Sequence, residues 1–274
     1  MPPSQKTSKG LDLIIALSLV LAAEAISFVL SLKPLWGGIL LTVLPLLYLA
    51  WRESLPWKKI LFASLTLGLL LGAFFDLIQS FNAAWSTDVL VIPWKVFGVL
   101  PVDNLLGYFL MTALTISFYE YFFKTESHGF PIPNRYFKIT AVVASITVLV
   151  FLLFAFWPQA LNIPFAYLLG GLAATLATIY SVYRRPFLLD RCLRMSALFF
   201  VIWFVEEIVV LHTAGWSFGG QYIGWVSVFG VSFPFEELFF WMFWYAPFLV
   251  VTYEYIMRPR ELRISKISST ETRA

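Results

Sequence analysis

The sequence predicts an all-α integral membrane protein: eight transmembrane helices, arranged as two parallel four-helix repeats, with the N- and C-termini cytoplasmic. Three observations predict it. Of the 274 residues 60% are hydrophobic and 13% charged, far from the balance of a water-soluble domain. Eight apolar stretches occur, each near the roughly 20 residues that span about 30 Å of hydrocarbon at about 1.5 Å per residue. Basic residues gather on alternate connecting segments, as retention of Lys and Arg on the cytoplasmic side requires.

The expected spans cover residues 11–32, 35–51, 60–82, 97–123, 136–156, 162–183, 192–213 and 230–256. The first is too long for the apolar core of a signal peptide and has no small-x-small cleavage pattern, so it reads as a retained helix. With the N-terminus inside, 17 of the 19 basic residues fall on inner segments: Lys6 and Lys9; Arg52, Lys58 and Lys59; Lys124, Arg135 and Lys138; Arg184, Arg185, Arg191 and Arg194; and the five from Arg258 to Arg273. Only Lys33 and Lys95 fall outside. Dropping one span would scramble this asymmetry. Each basic cluster is explained as a membrane-edge anchor, and a net charge of +3 gives no support to a nucleic-acid partner.

The two halves, 1–128 and 129–274, carry the same landmarks in the same order. "FFDLIQSFNAAW", "KVFGVLPVDN" and "FYEYFF" in the first answer to "FVEEIVVLHTAGW", "SVFGVSFPFEE" and "TYEYIM" in the second. Asp76 precedes Trp85 by nine residues, as Glu207 precedes Trp216, and Pro101 precedes Glu120 by 19 where Pro234 precedes Glu254 by 20. Each half has an even number of spans, so the repeat is parallel.

Topology assigns a depth to the acids. Asp76, Glu206 and Glu207 lie near the outer ends of the third and seventh spans. Asp103, Glu236 and Glu237 lie one to two turns into the fourth and eighth, which start from the same side. Glu120 and Glu254, at the inner ends, read as helix-end ion pairs with Lys124 and Arg258. Glu24 sits midway along the first span with no counterpart in the second half. A carboxylate in hydrocarbon costs several kcal/mol, so the outer group is expected to face the bundle interior, hydrogen-bonded and in part protonated, with no Lys or Arg inside a span to neutralise it. Adjacent helical residues differ by about 100°, so one of Glu236 and Glu237 should face a cavity while the other supports it.

Aromatic residues surround the pair. Helical spacing puts Phe239, Phe240 and Phe243 over Glu236, and Phe240, Trp241 and Trp244 over Glu237. Such a stripe is ordinarily packing. A π face also stabilises a cation by about 0.5–2 kcal/mol when water is excluded. A buried acid beside stacked rings is what protonation of an alkene requires.

Pro234, Glu236 and Glu237 followed by Phe239 and Phe240, with Glu207 and Trp216 on the preceding helix, resemble the membrane-integral lycopene cyclase family in its fused form. The first half is similar at Asp76, Trp85, Gly98 and Pro101, then departs, with Asp103 and Asn104 where the family has two glutamates. The resemblance implies a redox-neutral, proton-initiated cyclisation of the end groups of a linear C40 carotenoid. It implies Glu236 or Glu237 as proton donor, Glu207 or Asp76 as partner or final base, Glu206 and Asp103 in the same cluster, and Trp85, Asn104, Trp216, Pro234, Phe239, Phe240, Trp241 and Trp244 around the substrate. One glutamate pair instead of two suggests a single composite site.

No cofactor or metal is expected. One Cys and two His form no disulfide framework or zinc site. The glycine-rich "LLGGLAAT" and "SFGGQYIG" do not follow a strand, so neither reads as a nucleotide-binding loop. The expected partners are a hydrophobic isoprenoid and membrane lipid, with homo-oligomerisation left open. The alternatives are a cyclase or hydratase of another isoprenoid lipid, a homologue that binds carotenoid without turnover, and a proton-coupled transporter, for which the spans offer few groups to hold a hydrophilic solute. A prenyltransferase would need an Asp-Asp-x-x-Asp magnesium motif, which the chain lacks.

Overall fold

The computed structural model describes residues 8–87, 89–123 and 131–257, and within them the chain is mostly helical with little sheet. Seven helices among the described residues are long and apolar enough to cross a membrane. They are α1 (Lys9–Val29), α2 (Pro34–Arg52), α3 (Trp57–Phe81), α4 (Val102–Phe123), α5 (Asn134–Phe156), α6 (Ala166–Arg184) and α7 (Leu188–His212). Seven such helices are the make-up of a multi-pass membrane protein. A further helical segment, α8, covers residues 237–257, with a π-helical stretch Glu237–Trp244 leading into α-helical Tyr245–Met257. It mixes Trp, Tyr and two Glu with its apolar residues and is not one of the seven.

Local chemistry sets the helix ends. The Ser8 side chain accepts from the Leu11 amide at the start of α1, and Pro34 opens α2, where its missing N–H costs nothing. Helix α3 contains a π-helical stretch, Ser64–Leu70. There Gly68 lets α4 come close: a Cβ on Gly68 would lie 2.7 Å from the Tyr108 carbonyl oxygen.

The fourth and eighth helices start later than expected, at Val102 and Glu237, because a hairpin precedes each. Strands β1 (Lys95–Val96) and β2 (Leu100–Pro101) pair antiparallel, as do β3 (Trp225–Val228) and β4 (Val231–Pro234). Both turn through Val-Phe-Gly-Val. Phe97 and Gly98 take φ of 54° and 74°, and Phe229 and Gly230 take 48° and 81°. Gly enters this left-handed region freely and Phe does so under strain, so the pair breaks the helix that its hydrophobicity alone suggests. Asp103 and Glu237 therefore stand in the first turn of their helices, and Glu236 immediately before α8. They are not one to two turns inside.

Glu120 and Glu254 stand near the C-terminal ends of α4 and α8. Both are buried at 1% exposure, and they lie in a reciprocal brace between α4 and α8. Tyr119 Oη donates to Glu254 Oε1 at 2.9 Å, Tyr253 Oη donates to Glu120, and Arg191 donates to Tyr119 Oη at 2.8 Å. The expected ion partners Lys124 and Arg258 lie outside the described residues, as do Lys6 and the division at residue 128. Lys59 stands in the first turn of α3 at 4% exposure, against the expectation that no basic residue is buried in a span.

Helix α4 is central. It packs on α2, on α3 and on α8, while α7 packs on α1 and α8. The fully buried Phe118, Tyr119, Phe199, Trp203 and Tyr253 fill the seams between them.

Candidate functional site

Each of α3 and α7 ends in the same construction. After Asp76, α3 stops at Phe81, the chain turns at Ala83 (φ 54°), and Trp85 folds back to donate its indole N–H to Asp76 Oδ1 at 2.6 Å. After Glu207, α7 stops at His212, the chain turns at Ala214 (φ 53°), and Trp216 donates to Glu207 Oε1 at 3.1 Å. The two returning segments then meet. Ser86 and Ser217 exchange both backbone hydrogen bonds, at 2.9 and 3.0 Å, and their hydroxyls lie 2.9 Å apart.

The acids that open α4 and precede α8 tie down the loops before them. Asp103 accepts from the Val91 and Ile92 amides at 2.6 and 3.0 Å. Glu236 Oε1 accepts from the Ile223 amide at 2.7 Å. This decides between the paired glutamates: Glu236 anchors a loop, and Glu237 faces a cavity.

That cavity encloses about 840 Å³ of atom-free space, part of it open to the outside. Its walls come from α2, α4, α6, α7, the start of α8 and the two tryptophan-bearing segments. Glu206 and Glu237 face it directly, together with Asp103 and Asn104. Trp85, Trp216, Trp241, Tyr108, Tyr167 and Phe218 supply rings, and among the described residues the lining contains no Lys, Arg or His. Trp85 meets Tyr167 edge-on with centroids 5.2 Å apart, and Tyr108 meets Trp241 edge-on at 6.2 Å.

Compared with protein-family models, with curated proteins and with solved structures, the chain finds no match.

The six outer acids fall into two chemical groups. The aspartates are satisfied on both oxygens: Asp76 Oδ1 by Trp85, its Oδ2 by Asn104 Nδ2 at 3.0 Å, and Asp103 by two backbone amides. Each of Glu206, Glu207, Glu236 and Glu237 keeps one buried oxygen, Oε2, without a hydrogen-bond partner. Asp76 and Glu207 stand behind the indoles that line the cavity. Glu24 is buried on α1 at 3% exposure and within electrostatic reach of Glu206.

The aromatic residues expected around the substrate separate likewise. Trp85, Trp216, Trp241 and Asn104 line the cavity. Phe239 is 37% exposed and stacks with Phe235 and Phe243, Trp244 packs on Phe239 and Phe243, and Pro234 is held in β4 opposite Trp225. Phe240 packs on Gly171 and Tyr167. These four are not among the cavity residues. The π-helical turn alters the angular spacing that an α-helical wheel assumes, leaving Glu237 and Trp241 on the cavity side.

Tyr108 and Tyr167 were not anticipated. Tyr108 lies beside Asp76, and Tyr167 beside Glu237. Tyr108 follows Asn104 by four residues as Trp241 follows Glu237, a spacing that could have disclosed it. Tyr167 has no such signal. Among the described residues no group of three or more His, Cys, Asp or Glu is placed to hold a metal ion.

Proposed function

We propose that the chain is a membrane-embedded isoprenoid cyclase acting on a linear carotenoid of the lycopene type, forming ionone-type end-group rings without cofactor or metal. The observation that carries this reading is the pair of buried glutamates, Glu206 and Glu237, each with an unpartnered oxygen, in one aromatic cavity whose lining has no cation among the described residues. Glu237 is the donor. Its proton adds to the terminal alkene of the end group, the resulting tertiary cation is captured by an internal double bond, and a six-membered ring closes. Glu206 takes a ring proton, restoring an alkene and leaving no net change in protons or electrons. The rings of Trp85, Trp216 and Trp241 stabilise the cation without attacking it, and the loops tied down by Asp103 and Glu236 keep water away.

The similarity of the Pro-x-Glu-Glu segment to membrane-integral lycopene cyclases supports the same reading, as does the equivalent placing of Asp76 with Trp85 and Glu207 with Trp216. We infer with it a topology of eight spans in two parallel four-helix repeats, 1–128 and 129–274, with both termini cytoplasmic, on the strength of the basic-residue distribution. One composite site between the halves would serve the reaction. The test is expression in a lycopene-accumulating host with chromatography of the pigments. Cyclised products that disappear with Glu237→Gln support the proposal, and unchanged lycopene with the native chain refutes it.

A further inference from the structure

Glycine inside a helix costs about 0.5–1 kcal/mol relative to alanine, so a helical glycine invites the question of what its bare surface is for. Most helical glycines here answer it by close packing. A Cβ on Gly68, Gly72, Gly170 or Gly171 would fall between 2.2 and 3.0 Å from a neighbouring atom. Gly38 on α2 and Gly107 on α4 do not: a Cβ on either meets nothing within 4 Å, and both line the cavity that holds Glu206 and Glu237.

Comparison within the chain sharpens this. Asp103 and Glu236 play the same loop-anchoring part, which sets Asn104 beside Glu237 and Gly107 beside Phe240, three residues further on in each case. Helices α2 and α6 each carry a Gly-Gly pair near their start, Gly37-Gly38 and Gly170-Gly171. In the second half the Phe240 ring packs onto Gly171, so closely that a Cβ there would lie 2.2 Å from Phe240 Cγ. In the first half the corresponding ring is absent, and the space between Gly38 and Gly107 is open to the cavity. One side of the pseudo-symmetric bundle is plugged by its own side chain. The other is left empty beside two buried carboxyls with unpartnered oxygens.

We propose that the wall bearing Gly38 and Gly107 is the slot for the extended, methyl-bearing stem of a long polyene, holding it along α2 and α4 so that only its end group reaches Glu237 and Glu206. This rests on the isoprenoid reading of the cavity. The slot selects a thin, rigid, apolar chain, since a bulkier stem meets the α2 and α4 backbones.

Binding, separate from turnover, tests it. The full chain carrying Glu237→Gln, purified from lycopene-accumulating cells, is expected to retain pigment that can be quantified by absorbance against protein. Adding Gly107→Phe, which copies the plug of Phe240, or Gly38→Leu is expected to lower retained lycopene at least fivefold, with Gly→Ala at either site intermediate. The unfolding temperature should be unchanged or higher, because the added side chains enter empty space. Equal retention in folded Gly107→Phe and Gly38→Leu proteins overturns the slot, and cyclisation persisting in the native chain would leave the cyclase standing. Loss of retention in those variants, in a chain that never cyclises lycopene, would sustain the slot and reject the cyclase. Absence of retained pigment in both the native and the Glu237→Gln chains overturns the slot.

Discussion

Tyr119 donates its hydroxyl to Glu254 Oε1 across 2.9 Å, and the residues next to each, Glu120 and Tyr253, form the reverse bond. Identical Tyr-Glu dipeptides thus bind one another across the seam between α4 and α8. Replacing Tyr119 with Phe removes the donor to Glu254 and the acceptor for Arg191. With both groups at least half-buried, the expected loss is about 1–3 kcal/mol of stability. Thermal unfolding in detergent would register it, and Tyr119→Phe combined with Tyr253→Phe should cost less than the sum of the two, since both belong to one network.

Glu236 and Glu237 should respond differently to the same change. Glu237→Gln is expected to lower ring formation by about 100-fold or more, because an amide has no acidic proton to give. Glu236→Gln keeps an oxygen for the Ile223 amide and should retain most activity. Pigment chromatography of the two variants side by side measures the contrast, and equal losses would refute the assignment.

Asn104 donates to Asp76 and accepts from Thr87 Oγ1 at 3.1 Å. Asn104→Asp turns the donor into an acceptor facing a carboxylate. A fall of about 1–3 kcal/mol in stability is expected from the unsatisfied, repelling pair. Chemical or thermal denaturation would detect it.

Asp12, 1% exposed, accepts from Tyr48 and Tyr121 hydroxyls, each at 2.6 Å, and from Arg52 Nε at 2.9 Å. Removing the charge by Asp12→Ala would leave a half-buried guanidinium and two phenols without their acceptor. A loss of stability is expected, read as low yield of monodisperse protein and a lowered unfolding temperature.

Gly68→Ala should force α3 and α4 apart, because its Cβ would meet the Tyr108 carbonyl oxygen and the Phe109 Cα at 2.7 and 2.9 Å. Backbone cannot swing aside as a side chain can. The expected cost is about 1–3 kcal/mol, visible in the same unfolding measurement.

Much of this architecture was legible beforehand. Runs of apolar residues must be helical in a bilayer, since each backbone polar group has to be satisfied within its own segment. The pairing of Asp76 with Trp85 and of Glu207 with Trp216 could be read from equal spacing, and each became an indole-to-carboxyl hydrogen bond. Hydrophobicity failed at Val-Phe-Gly-Val. A hairpin and a helix start are equally apolar there, and the positive φ of Phe97 and Phe229 comes from the turn, not from any preference of phenylalanine.

By itself, then, the order of residues determined the helical membrane class and the concentration of acids and indoles at one end of the chain's long helices, because both follow from solvation along a single segment. Which glutamate of the pair meets the cavity, that Tyr108 and Tyr167 join it, and that Phe240 closes one side while Gly107 leaves the other open were decided only by the tertiary structure. Those outcomes depend on the angle at which one helix presents its face to another, and a π-helical turn or a hairpin changes that angle without changing the hydrophobicity of a single residue.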